Sequence, residues 1–320
     1  MSYFHDIKNK ALLEKCPPNI NIVYWKEFRN NYKKANNFNR LGYPIQIDIE
    51  LNGGCNMKCP FCTHGHVKNK IPNILLPFKT FKKIIDEAVS LGTRGLKLNY
   101  INEPMLRKDL EKFIKYAKSA GILNIYFATN GTLLISKRWD SIFNSKLTKI
   151  FISIDATTEE IYNKQRLSGQ FNKIKNNIIR FIEERNKRNL KWPLVRVSFL
   201  RNKINQHQEK DFFNFWKDKV DFIAFQKMND LPDINTELTL QDMRQHDKRC
   251  SFPFKLLVID HQGNILPCCT LGGKKLALGN IKKMTLKQAW NSEPIKQLQK
   301  LHKNNQWEQN PICKRCINGS

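Results

Sequence analysis

The sequence predicts an α/β fold, a partial (β/α)6 barrel followed by a smaller cysteine-bearing module. Three observations predict it: six short β-like runs, amphipathic helical stretches between them, and a loosened pattern leading into clustered cysteines near the C-terminus. Strand–helix alternation argues for parallel β/α architecture, and six units suggest the partial barrel. Chemistry in such barrels sits at the C-terminal ends of the strands.

Residues 1–44 are polar with scattered aromatics and read as an N-terminal extension packing on the barrel, with Cys16 a buried or inert thiol rather than a ligand. The core is placed at 45–235. Its strands are predicted at 45–51, 95–100, 124–129, 149–154, 194–200 and 222–226. Between them, stretches such as 78–89 and 110–117 repeat apolar residues three and four apart, the mark of a one-sided helix. The pattern loosens around 231–248, and the second module is placed at 236–320, its cysteines beginning at Cys250.

A chain of 320 residues can bury a sizeable core. No segment approaches the roughly 18 apolar residues of a membrane span, and Met1-Ser-Tyr-Phe-His-Asp-Ile-Lys lacks a signal-peptide apolar block. Nine cysteines without an export signal point to the reducing cytoplasm, and to metal rather than disulfides. The net charge of +27 invites a nucleic-acid reading. Against it, lysine is spread along the whole chain and no basic run interleaved with aromatics forms a strand-binding groove. A solvated surface accounts for the charge, with an anionic substrate as the next reading.

Just past the first strand lies Cys55-Asn-Met-Lys-Cys59-Pro-Phe-Cys62. Three thiolates can hold three irons of a [4Fe–4S] cluster and leave the fourth open. A structural zinc site is the rival, with His64 or His66 as a further ligand, although zinc usually takes four ligands in paired spacing. With Phe61 before the last cysteine the pattern is C-x3-C-x-aromatic-C, and here the chain resembles the radical S-adenosylmethionine (SAM) superfamily. The resemblance implies the partial (β/α)6 barrel, a cluster held by Cys55, Cys59 and Cys62, and SAM chelating the open iron. One electron would then cleave SAM to methionine and a 5′-deoxyadenosyl radical that abstracts hydrogen from a substrate C–H.

The resemblance also assigns SAM contacts strand by strand. Asn102-Glu103-Pro104 stands where the superfamily has Gly-Gly-Glu-Pro, with Ile101 and Asn102 in place of the glycines. Glu103 offers an anionic acceptor for the SAM ammonium. Thr129-Asn130-Gly131 matches a recurring Thr-Asn-Gly element, so Asn130 joins the set. Ser153, at the end of the fourth strand, and Arg166 match residues that bind the SAM carboxylate, for which a guanidinium's fork geometry suits. Phe61 packs on the adenine or shields the cluster. Residues 195–199 could line the adenine pocket but read first as core.

Cys250, Cys268, Cys269, Cys313 and Cys316 lie in the second module, with Leu278-Gly-Asn-Ile281 between them. This resembles the SPASM/Twitch extension, a small α+β iron–sulfur module. The count supports one auxiliary [4Fe–4S] cluster on Cys250, Cys268, Cys313 and Cys316, for two clusters in all; a zinc ribbon is the rival. Cys269 is left over as a spare thiol, a replacement ligand or a hydrogen-atom donor. Four protein ligands leave no open iron, so the auxiliary cluster accepts or relays an electron.

That suits a radical SAM oxidoreductase removing two electrons from a carbohydrate or cyclitol-like alcohol, anionic or nucleotide-linked, with a flavodoxin- or ferredoxin-type electron donor. The cysteine layout is similar to that of an aminoglycoside-pathway alcohol dehydrogenase class in this superfamily. An epimerase or dehydratase on a sugar and a peptide or protein maturase are the rivals. A basic zinc module docking on nucleic acid is the reading from another class, and it predicts no SAM affinity. The sequence marks no general base.

Overall fold

The computed structural model describes residues 15–62, 64, 73–228, 238, 240, 249–269 and 271–318. His66 and nearly all of the loosened segment at 231–248 lie outside these.

The expected alternation is present. Helix α1 (Ile22–Asn36) precedes β1 (Gln46–Ile49), α2 (Phe78–Leu91), β2 (Gly95–Lys97), α3 (Leu110–Ala120), β3 (Asn124–Thr129) and α4 (Trp139–Asn144). Then come β4 (Lys149–Ser153), α5 (Glu159–Arg166), α6 (Phe171–Lys187), β5 (Leu194–Arg201), α7 (Glu209–Trp216) and β6 (Phe222–Lys227). β1 to β6 pair in chain order, each parallel to the next, which makes the partial barrel. Helices α2 and α3 both end on a glycine in the left-handed region, Gly92 and Gly121, where a side chain would strain the turn back to the sheet.

Strand β2 is shorter than its sequence suggests. Its ladder runs on through Leu98 N–H to Tyr126 O at 2.9 Å, and there a side chain takes over: Asn99 Oδ1 accepts from Ala128 N–H at 2.9 Å. The backbone beyond Leu98 is thereby freed to turn into the site.

Side-chain parity explains how one sheet carries both a core and a site. Successive residues of a strand face opposite sides. Ile47, Ile49, Leu96, Ile125, Phe127, Ile150, Val195, Val197 and Phe199 share one cluster with the inward faces of α2, α3 and α6. The other parity is polar. Gln46, Asp48 and Glu50 alternate with those isoleucines yet are only 2, 2 and 0% exposed. They are buried because they bond one another's neighbours. Gln46 Nε2 donates to Asp48 Oδ1 at 2.6 Å and to Tyr126 Oη at 2.9 Å, and Lys97 Nζ lies 3.8 Å from Asp48. Burial still pushes the Asp48 carboxyl above its usual pKa, with Lys97 opposing. Tyr126 leans on Phe151, and the Arg196 guanidinium lies 3.5 Å from the Phe151 ring centre.

The C-terminal module continues the same sheet. β7 (Leu256–Ile259) pairs parallel with β1, then β8 (Asn264–Leu266) and β9 (Gly279–Asn280) add antiparallel. Helices α8 (Leu286–Trp290), α9 (Glu293–Lys303) and α10 (Pro311–Asn318) follow. Glu50 clasps the joint: Oε1 accepts from Ile101 N–H, and Oε2 meets His261 N–H and Nδ1 at 3.2 and 2.6 Å. Behind it, Trp25, Phe28 and Ala35 of α1 pack on Ile45 and Phe254. Trp290 Nε1 donates to Leu41 O, and Arg40 donates back to Trp290 O, both at 2.9 Å. No helix among the described residues is long and apolar enough to cross a membrane.

Trp290 is 0% exposed and joins the two ends of the described chain, so Trp290→Ala should cost about 3–5 kcal/mol. The exposed Tyr24→Ala should stay within about 0.5 kcal/mol. Urea denaturation followed by circular dichroism compares them.

Candidate cluster and cofactor site

Past β1 the chain enters the loop that carries Cys55, Cys59 and Cys62, and amide side chains pin its first half. At its start Gly53 N–H donates to Ile74 O, and Gly54 N–H to Asn73 Oδ1. Asn52 Nδ2 donates to Gly54 O at 3.1 Å and Glu103 O at 3.3 Å, while its Oδ1 accepts from Asn102 Nδ2 at 2.9 Å. Asn102, standing where a glycine was the family expectation, therefore ties the β2 loop to the cysteine loop by its side chain.

Within the loop, Asn56 reaches the end of β3. Its Oδ1 accepts from Asn130 Nδ2 at 2.7 Å and its Nδ2 donates to Thr132 Oγ1 at 2.8 Å. Asn130 Oδ1 in turn accepts from Thr132 N–H and Oγ1 at 3.0 and 2.7 Å. The Thr-Asn-Gly element is thus a clamp on the residue that follows Cys55. Cys62 N–H donates to Cys59 O at 3.0 Å, closing a turn around Phe61.

The three cysteines, with Phe61, Glu103, Asn130, Ser153 and Arg166, line one cavity of about 360 Å³ at the C-terminal ends of the strands. Asn99, Ala128, Ser153, Leu200 and Gln226 on its wall belong to the polar-face parity of β2 to β6. His64 is not on that wall.

Arg166 is the most constrained charge there. Its Nη2 pairs with Asp155 Oδ2, its Nη1 lies 3.6 Å from Cys59 Sγ, and its guanidinium covers Phe61 at 5.3 Å. Asp155, at a positive φ of 54°, accepts Leu200 N–H on its other oxygen at 2.7 Å. Burial works against the Arg166 charge, but Asp155 first and Cys59 next outweigh it and hold the guanidinium cationic. Its Nε is buried without a partner. Glu103 is less available than its sequence position suggested. Its carboxylate accepts from Thr129 Oγ1, Met105 N–H and Asn130 N–H at 2.8, 3.0 and 2.8 Å, and burial still raises its pKa.

These residues fit a cluster and SAM. Three thiols converge on one chamber beside an orphaned cationic donor suited to a carboxylate. Burial pushes the Cys55 thiol up to about 12, so it needs a bound cation to become a ligand.

In the C-terminal module, α10 sets Cys313 and Cys316 three residues apart on one helix face, with Asn310 Oδ1 accepting from Cys313 N–H at its start. Burial pushes the Cys313 thiol up to about 12, and Cys268, Cys250 and Cys316 add to the shift, so the four share one neighbourhood. His302 lies among them: Cys250 N–H donates to its Nδ1 at 3.0 Å, and its Nε2 is 3.4 Å from Cys313 Sγ. Burial lowers its pKa to about 4. Cys269 borders both groups: burial raises its thiol far above the usual range, with Cys268 and Cys250 adding to the shift, and it lines the cavity of Cys55, Cys59 and Cys62. Asn56, Thr132, Asp155 and His302 were not singled out by the sequence. Asn56, inside the cysteine loop, and Asp155, two residues past Ser153, carried a positional signal; His302 carried none.

The pattern of the radical SAM superfamily matches residues 49–192, and that of an iron–sulfur cluster-binding domain, SPASM, matches residues 250–317. A probable GTP 3′,8-cyclase of Methanococcus maripaludis is 30% identical over 145 residues, 45% of this chain and 48% of that protein. The chain thus spans about half the length of that relative. An S-adenosyl-L-methionine-dependent 2-deoxy-scyllo-inosamine dehydrogenase of Niallia circulans is 23% identical over 282 residues, 86% of this chain and 93% of that one. Among solved structures, Streptococcus suis SuiB bound to the precursor peptide SuiA shares the fold, with a TM-score of 0.64, 16% identity, and coverage of 87% and 71%.

Asn56→Ala and Asn130→Ala each break the clamp on the cysteine loop while leaving every thiol in place. Each should weaken iron retention about 10–100-fold. Iron released to a chelator over time by the reconstituted protein measures it.

Proposed function

We propose that this chain, which belongs to the radical SAM superfamily and carries a C-terminal SPASM iron–sulfur domain, oxidises a carbinol carbon of a carbohydrate or cyclitol-like alcohol. Its domains imply [4Fe–4S] clusters and SAM as cofactors, and such enzymes act on small molecules or peptides with the help of a reductant. Cys55, Cys59 and Cys62 hold the first cluster; Cys250, Cys268, Cys313 and Cys316 hold the second.

When bound, the first cluster and SAM supply a radical that takes a hydrogen atom from carbon, and the second cluster supplies a site for one electron. The chain's own residues orient and isolate that chemistry. Arg166, held by Asp155, offers Nε to the SAM carboxylate. Phe61 shields the Cys59–Cys62 turn, and the Asn56–Asn130 clamp fixes the loop. For the substrate the balance is two electrons and two hydrogens: one hydrogen atom goes to the adenosyl carbon and the hydroxyl proton to a base. The second cluster, held by Cys250, Cys268, Cys313 and Cys316, would take the remaining electron, and the substrate would be left as a ketone.

One observation carries the oxidation reading. Cys269 forms part of the cavity wall, and its chain neighbour Cys268 is one of the four cysteines assigned to the second cluster, so a substrate in the cavity would lie close to an electron acceptor. The dehydrogenase relative, matched over 93% of its length, supports the same reading. A flavodoxin- or ferredoxin-type carrier suits a chain of net charge +27, because such a surface attracts acidic partners. The position of Cys269 also favours a second reading, a sugar epimerase in which its thiol returns the hydrogen.

The reconstituted wild type should carry about eight irons and the Cys55/Cys59/Cys62→Ala variant about four, with SAM cleavage only in the former. Zinc in place of iron would sink the account. Polyols, aminocyclitols, nucleotide sugars and short peptides deuterated at carbon are then assayed for label in 5′-deoxyadenosine. A ketone product that survives Cys269→Ala supports oxidation. Loss of turnover in Cys269→Ala, with solvent hydrogen incorporated at the same carbon by the wild type, supports the epimerase.

A further inference from the structure

We infer that His302 donates a hydrogen bond to the sulfur of Cys313 and thereby raises the reduction potential of the auxiliary cluster. This rests on the reading of Cys313 as a cluster ligand.

The geometry fixes which ring nitrogen carries the proton. A backbone N–H can only donate, and that of Cys250 points at His302 Nδ1 from 3.0 Å. Nδ1 therefore holds the lone pair, the ring is neutral, and its one N–H is on Nε2. Nε2 faces Cys313 Sγ at 3.4 Å, within hydrogen-bond reach of sulfur. The imidazole thus bridges the main chain of one cysteine and the thiolate position of another. A nitrogen bearing hydrogen has no lone pair for iron, so His302 acts on the cluster through Cys313.

The ring is held in that pose. His302 is 1% exposed on α9, which buries Ile295 and Leu298. One turn earlier on the same helix, Gln299 Nε2 donates to Pro253 O at 2.8 Å, and Gln299 Oε1 accepts from Arg40 Nε at 2.9 Å. Gln299 therefore braces α9 against the segment that follows Cys250, which keeps the Cys250 amide on Nδ1.

Hydrogen bonds to cluster sulfurs are one of the levers that set iron–sulfur potentials. An N–H aimed at a thiolate draws charge from it and favours the reduced cluster. A cluster that takes an electron from a substrate needs that bias, and His302 supplies it without a positive charge in a buried place.

The test uses the full chain with Cys55/Cys59/Cys62→Ala, so that only the auxiliary cluster remains. An EPR-monitored redox titration compares His302 with His302→Leu and His302→Gln. Leu should lower the reduced-to-oxidised ratio at a given potential about tenfold, a 59 mV shift, and Gln, which keeps an N–H donor, should recover part of it. An unshifted potential in His302→Leu overturns the inference. If His302→Leu loses the cluster, pulsed EPR of the parent protein with labelled histidine decides. A weak, remote nitrogen coupling supports the inference; a directly bound nitrogen, or none, overturns it. Iron retained by Cys313→Ala would overturn the ligand reading itself, whereas iron lost there beside an unshifted His302→Leu overturns the His302 role alone.

Discussion

Everything in this molecule depends on one alternation along its parallel strands. One parity of side chains is aliphatic and aromatic and is sealed under the helices; the other is polar and faces inward. Burying Gln46, Asp48 and Glu50 without cost requires each to find a partner on another strand or loop. Those obligations fall on Tyr126, Lys97, Ile101 and His261, and they fix how β1 sits against β2, β3 and the C-terminal module. At the C-terminal ends the same parity runs out into the cavity, where Ser153, Leu200 and Gln226 line the wall.

The loop of thiols is positioned by amides. Asn52, Asn56, Asn102 and Asn130 have both donors and acceptors, so each can bind two segments at once. They join β1, the β2 loop, the cysteine loop and the end of β3 into one rigid corner. Glu103 completes it by accepting from three donors around β3. In place of the flexible glycine pair, this corner has Ile101, whose amide binds Glu50, and Asn102, whose side chain binds Asn52.

Much of this was legible in the sequence because it is local. Strand and helix periodicity is written in consecutive residues, and the cysteine loop, Glu103, Asn130 and Ser153 all lie within a few residues of a strand end. What escaped is set by partner choice across long separations. Nothing near Leu256-Leu-Val-Ile259 says that it pairs with β1, since a short apolar run pairs equally well with any buried strand. Asn130 reads as a cofactor contact, and only the fold reveals its amide spent on Asn56. Glu103 reads as a free carboxylate until Thr129 and Asn130 arrive beside it. His302 is one polar residue on an amphipathic helix, and its role comes from Cys250 and Cys313 closing around it.

The pairing of β7 with β1 also bears on solubility. Lys255 O receives Ile45 and Gln46 N–H, and Ile259 O receives Glu50 N–H, so β7 saturates the outer ladder of β1. A barrel cut free before Leu256 would bare that ladder as an unprotected sheet edge, open to strands of other chains. The C-terminal module is therefore the edge guard of the barrel as well as the bearer of five cysteines. Its removal would be felt as self-association, and a trimmed barrel would need a replacement strand on the outer edge of β1.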